Sequence, residues 1–382
     1  LNKAQIRSTK KQNRFGTLRF LISILFIISY LEFNVCAMDV DINGYYENDG
    51  IALVKRTGGG VIGDLNKLRL RMDYQPHESV LLHLEPQYEM LIASETNFIA
   101  DASGLDQLVW DRAYLKYSFP QADLTVGKQH IAWGTGYIWN PTDVLNPFTL
   151  SFAVSEEDEE DAQAIRVQVP LGAASGIDAF ILTNKPWPEV TKAIKAKTNL
   201  ENYDVSASYV DLGNGGFQVG FDTSGELWEF GVRSEIALVS PAGVSRYFKS
   251  VWGGNYTFEN GWGIELEYFF NGLGKKKKED YDWTNYLAGN INQLGMDYIF
   301  LGLNKNLDEL TSIRLSYLAN ADDYSYIFYP AYNRNIFEHV DLSLEAMITG
   351  GQGGSEYMPT DARDPTGLIG SKIVFVKLQY NF

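Results

Sequence analysis

Four histidines, His77, His83, His130 and His339, and one cysteine, Cys36, are all the imidazole and thiol the chain offers. That is thin material for catalysis. Neither G-x-S-x-G nor H-E-x-x-H occurs, so neither a serine nucleophile elbow nor a zinc-protease helix is encoded. His83 is followed two residues on by Glu85, and His339 by Asp341, so neither has a serine beside it on an extended segment. No catalytic residue, metal site or cofactor is expected. The charged residues are spaced for steering instead. Lys67, Arg69 and Arg71 stand at every second position, which in an extended chain puts all three on one face and Leu68, Leu70, Met72 and Tyr74 on the other. Glu85 and Glu89 share a face with His83 and Gln87 in the next segment, and Arg112, Lys116 and Arg166 take similar places further on. Opposite in sign is the run Glu156, Glu157, Asp158, Glu159 and Glu160, which ends at Asp161.

The elements that must position these residues are strands. From Met38 onward, segments of about ten residues carry apolar side chains at every second position and are separated by turn residues, the pattern of a transmembrane barrel with lipid outside and water within. Eighteen such segments can be counted, or sixteen if one hairpin is miscounted. Connections near 76–78, 119–122, 200–202, 224–225, 258–260 and 333–335 are short, while 49–63, 92–105, 135–160, 272–292 and 349–371 are long and fall between them. Short turns on one rim and long loops on the other follow from an antiparallel barrel. The expectation is therefore an all-β antiparallel barrel over residues 38–382. One position breaks the parity: Asp111 falls with Val109, Ala113 and Leu115 on the lipid side, so it must lie above the apolar band or a bulge must shift the register. Aromatic residues form 14% of the chain, and many, such as Tyr117, Phe119, Trp252 and Trp262, sit near strand ends, where membrane barrels place their girdles.

The N-terminus reads as an export signal. Lys3, Arg7, Lys10, Lys11, Arg14 and Arg19 precede an apolar run from Phe20 to Leu31, and Val35-Cys36-Ala37 suits cleavage after Ala37, making residues 1–37 a leader. Loss of six basic residues and Glu32 then takes the net charge from −16 to −21 and removes the single cysteine. Disulfides and thiolate metal sites are excluded for the remainder, and so acidic a chain is no nucleic-acid binder, which needs basic surface to neutralise phosphates. No later stretch approaches the roughly 20 apolar residues of a membrane helix. The last segment, Lys372 to Phe382, carries Leu378, Tyr380 and Phe382 on one face and is similar to the terminal signal read by the outer-membrane barrel assembly machinery.

The most distinctive stretch is Gly127-Lys-Gln, then Trp133-Gly134, then Asn140-Pro141-Thr-Asp143, followed by Asn146-Pro147. It resembles the uncharacterised porin-like outer-membrane barrels of Gram-negative bacteria, in which a strand ending in Trp-Gly leads into a Pro-bounded loop. The match covers about residues 123 to 170. It implies a channel in the bacterial outer membrane for passive diffusion of small hydrophilic solutes, with lipid and lipopolysaccharide around it. Prolines lack the amide needed in a ladder, so 140–147 should be an ordered loop, the third external one. In general porins that loop folds into the lumen and sets acids against a basic wall, an arrangement that would make Glu156–Glu160 face Lys67, Arg69 and Arg71. The other reading leaves the acidic run solvated outside, binding divalent ions beside lipopolysaccharide. A channel specific for a sugar or acidic polysaccharide, and a barrel serving as the sleeve of a protein complex, are the alternatives for the whole. A homo-oligomer is compatible with the sequence, which marks no face for it.

Overall fold

Alternation along the sequence becomes alternation across a single curved wall. In the computed structural model, residues 40–93, 106–148, 161–187 and 189–382 are described; the expected leader and the run Glu156–Glu160 lie outside them. The strands are β1 (Val40–Val54), β2 (Gly60–His77), β3 (Val80–Ala93), β4 (Asp106–Ser118), β5 (Asp123–Gln129), β6 (Ala162–Pro170), β7 (Gly176–Leu182), β8 (Lys192–Leu200), β9 (Tyr203–Gly213), β10 (Gly216–Leu227), β11 (Phe230–Ser240), β12 (Tyr247–Thr257), β13 (Trp262–Asn271), β14 (Asp297–Asp308), β15 (Thr311–Asn320), β16 (Tyr326–Phe337), β17 (Val340–Gly350) and β18 (Lys372–Asn381). Each pairs with the next, and β1 pairs antiparallel with both β2 and β18, which closes an 18-stranded barrel. Closure leaves no strand edge to satisfy, the condition for crossing a membrane with strands.

The period of two sorts side chains by face. On β13, Leu266 and Tyr268 are exposed on the outside, whereas Glu267 and Phe269 are buried inside. On β18, Val374, Val376, Leu378 and Tyr380 point outward. The seam ends on Phe382, whose backbone exchanges hydrogen bonds of 3.0 Å in both directions with Gly44.

Asp111 is a bulge. Glu85 lies opposite Arg112 and Pro86 opposite Trp110, so Asp111 is skipped in the ladder. Leu108 and Trp110 consequently face outward before it and Leu115 and Tyr117 after it, and Asp111 pairs with Arg69 at 2.9 Å. Of the two resolutions expected for Asp111, the register shift is the one found.

Three expectations change. The first external connection spans 55–59 rather than 49–63, because Gly58 and Gly59, at φ +94° and +84°, close a tight turn in which Lys55 N donates to Gly59 O at 3.1 Å. Strand β5 stops at Gln129 rather than 134, since the chain turns inward there. The long connection expected over 272–292 extends over 272–296 and contains a 3-10 turn (Lys278–Asp280) and a short helix α1 (Trp283–Leu287) capped by Asp282, which accepts from Asn285 N at 3.1 Å.

The interior is unequally filled. Along β12–β17, Val251, Phe269, Tyr298, Phe300, Leu318, Ile327 and Tyr329 form one apolar and aromatic cluster. A second cluster, Phe180, Leu182, Ala193 and Val210 with Ile131 and Trp133, lines β6–β9, while the inner wall of β1–β5 is mostly charged and polar.

Candidate functional site: an inward loop and the wall that holds it

The segment after β5 cannot continue the ladder through its two prolines, and its backbone polar groups need other partners. Some are internal. Asn140 N donates to Pro147 O at 3.0 Å, and the buried Asp143 carboxylate accepts from Trp133 N (2.6 Å), Leu145 N (2.7 Å) and Asn146 N (3.0 Å). This folds Asn140, Pro141, Asp143, Asn146 and Pro147 into one compact turn.

The rest are supplied by the wall. Glu235 on β11 accepts from Thr135 N (2.5 Å), Gly136 N (2.8 Å), Thr142 N (3.0 Å) and Thr142 Oγ1 (2.8 Å). Glu267 on β13 accepts from Tyr137 N (2.6 Å), Ile138 N (2.9 Å) and Trp139 N (3.0 Å). Gln218 on β10 donates to Pro141 O and Thr142 O at 3.0 and 3.2 Å. Gly220 makes room for this seat, since a Cβ there would come within 2.9 Å of Thr142 Cγ2.

Apolar contacts continue the path. Trp133 packs on Phe180 of β7 with centroids 5.0 Å apart, Trp139 stacks on Phe269 of β13 at 5.2 Å, and Tyr137 lies 5.3 Å from Phe300 of β14. Strands β5 and β14 are nine places apart in a ring of eighteen, hence on opposite walls. A loop that leaves β5 and packs on Phe269 of β13 and Phe300 of β14 runs across the barrel interior.

The six basic residues singled out in the sequence come together on the other wall, each beside a carboxylate. Lys67 pairs with Glu47 (3.4 Å), Arg69 with Asp111 and with Gln87 (2.6 Å), Arg71 with Glu85 (3.0 Å), Arg112 with Asp161 (3.2 Å), Lys116 with Asp123 (2.9 Å), and Arg166 with both oxygens of Asp178 (2.8 and 2.6 Å). His83 bridges Asp73 at 2.6 Å and Glu85 at 3.1 Å. Glu89 accepts from Gln87 at 2.5 Å. Among the described residues, then, the cations have wall carboxylates as neighbours, and the loop's own contribution is Asp161, fully buried against Arg112.

Sequence reasoning did not single out Glu235, Glu267 or Gln218. Their signal was present but faint: Glu235 is a lone acid on the face opposite Ile236 and Leu238, and Glu267 stands on the face opposite Leu266. No group of three His, Cys, Asp or Glu side chains is spaced for a metal ion among the described residues.

No family model and no curated protein matches the chain. Solved structures do. OccK11 of Pseudomonas aeruginosa superposes with a TM-score of 0.55 at 12% identity over 90% of this chain and 96% of that one. A mutant of the Rh. blastica porin gives 0.48 at 13% identity over 90% and 100%. The barrel fold is that of OccK11. At such identity the likeness concerns fold alone, and the residues that line and cross the interior have to be read from this chain.

Proposed function

We propose that the protein is an integral channel of the bacterial outer membrane, through which small hydrophilic solutes diffuse passively and are sorted by size and charge. The observation that carries this is the loop from His130 to Phe148, which leaves β5 and is held on the opposite wall by Glu235 and Glu267. A loop across a wetted barrel narrows it, and charges at a narrow neck act on whatever passes. Lys67, Arg69, Arg71, Arg112, Lys116 and Arg166, with Glu85 and Glu89, are proposed to line the path, and Glu156–Glu160 to lie at its constriction. Export behind a leader cleaved after Ala37, and recognition of Leu378, Tyr380 and Phe382 by the assembly machinery, belong to the same proposal.

The test is reconstitution in planar bilayers. Stable open channels are expected, and the Arg69→Glu, Arg71→Glu double variant should move the reversal potential toward cations. Absent conductance, or a selectivity that this variant leaves where it was, overturns the reading.

A further inference from the structure

One part of the outer face departs from the apolar belt around it. Val376 and Leu378 of β18 point outward, and the ladder sets them beside Gly50 and Asn48 of β1, which in turn lie opposite Asp64 and Asn66 of β2. Asn48, Asp64 and Asn66 therefore face lipid, as does Tyr46 two residues before Asn48. The four form one cluster. Tyr46 OH donates to Asn66 Oδ1 at 2.5 Å, while Asn48 Nδ2 (2.9 Å) and Asn66 Nδ2 (2.6 Å) both donate to Asp64 Oδ1.

Apolar side chains enclose this cluster on every side. Val54 and Ile62, 59% and 70% exposed, stand above it toward the external rim, and Leu68 and Leu70 continue the same face of β2 below it. Val376 and Leu378 flank it on β18, and Met90 and Ile92 on β3. The cluster thus lies within the apolar band rather than at a headgroup level. Asp64 Oδ2 has no partner among the described residues and is open to the outer surface. Lipid chains donate no hydrogen bond, so a carboxylate there is costly unless another protein surface supplies one.

A second copy of the chain supplies it by symmetry. Rotation about the membrane normal preserves depth, so the polar row of one barrel meets the polar row of another, and apolar rows meet apolar rows. A different partner would need polar groups at that same depth. Asn48 is half-buried beside Asp64 and brings amide hydrogens to the surface, and the small Gly50 and Ala52 let two walls come close. We infer that the barrel self-associates through the outer face of β1 and β2, with Asp64 of one protomer accepting from Asn48 of the next. The interface rests on the barrel lying in the membrane and does not depend on conduction.

Sedimentation equilibrium in a density-matched mild detergent tests this. The parent should associate, and Asp64→Leu, which suits the lipid belt, should raise the dissociation constant at least about tenfold, the loss of a hydrogen bond to a charged group. Asp64→Asn, which keeps an acceptor, should retain association, and the heat-modifiable band on gels should show both variants folded. In membranes, Ala52→Cys in a Cys36→Ser background should cross-link to itself with a short bismaleimide, whereas Tyr209→Cys, exposed on the far wall, should not. A monomeric parent, association that Asp64→Leu leaves unchanged, or Ala52→Cys cross-links that run only to another protein overturns the inference. Bilayer conductance of the same preparations separates such a failure from a failure of the channel reading.

Discussion

Glu267 shows how one side chain can place a loop. Its two oxygens receive three consecutive backbone amides, Tyr137, Ile138 and Trp139, groups that extended or helical neighbours would otherwise satisfy. Substitution Glu267→Leu leaves those amides buried and unpaired at about 1–3 kcal/mol each, more than the stacking of Trp139 on Phe269 returns at about 1 kcal/mol. The tip is expected to lift from the wall, seen as larger single-channel conductance with frequent fluctuations. A conductance trace like that of the parent would show that Glu235 alone suffices. The contrast with the arginines explains what the sequence disclosed. Arg69 and Arg71 sit in a strict alternation, so their face followed from strand geometry. Asp111 announced itself by breaking parity, and of the two ways to reconcile it the bulge between β3 and β4 is the one found. Glu235 has no such local mark, because its partners lie 93 to 100 residues away.

At the scale of elements, the external loops brace one another. Glu356 in loop 351–371 accepts from Leu294 N (3.1 Å) in loop 272–296, Tyr298 OH (2.6 Å) and Asn320 Nδ2 (2.6 Å), and its own amide donates to Asp323 at 2.7 Å. Burial pushes its carboxyl up to about 7, against the hydrogen bonds from Tyr298, Leu294 and Asn320, and the Asp323 carboxylate beside it adds to the rise. Tyr281, Tyr286 and Tyr357 complete the titratable groups around it and stay neutral, their hydroxyls raised by the same burial. An acid raised in the folded state stabilises most fully below its ordinary value near 4.5 and loses that contribution as pH rises through about 7, a difference of about 3 kcal/mol. Amide exchange at Leu294 and Glu356 should therefore be slower at pH 5 than at pH 8 after correction for intrinsic rate. Glu356→Gln, which keeps an acceptor without the charge, should flatten that dependence. The existence of these loops was legible from the alternation of short and long connections. Their bracing was not, since it depends on contacts between segments 33 to 62 residues apart.

For the whole molecule, closure and asymmetric filling are the two facts from which behaviour follows. Closure tolerates little at Gly44, where a Cβ would stand 2.3 Å from Arg69 O and 3.1 Å from the Phe382 ring. Gly44→Val should part β1 from β2, disturb the seam at Phe382 and abolish the heat-modifiable folded band on gels. The filling is a matter of which wall meets water. Phe300 and Leu318 are fully buried on the β14–β15 side, whereas the Arg71 side chain, though paired with Glu85, keeps about 30% of its surface exposed, and Lys197 on β8 is exposed as well. Two-period alternation cannot distinguish these sides, because Phe269 and Arg71 occupy equivalent inward positions. The loop decides it by packing Trp139 on Phe269 and Trp133 on Phe180 and leaving Arg71 in contact with water. Permeation should therefore follow the charged wall that carries Arg71 and Lys197. Cysteines placed singly in a Cys36→Ser background give the measurement: Arg71→Cys and Lys197→Cys should react with a charged thiosulfonate at least about tenfold faster than Phe300→Cys and Leu318→Cys, since a thiol shielded from water also resists ionisation. Equal rates on both walls would mean that solutes pass between the loop and the aromatic side, and that the loop does not divide the lumen.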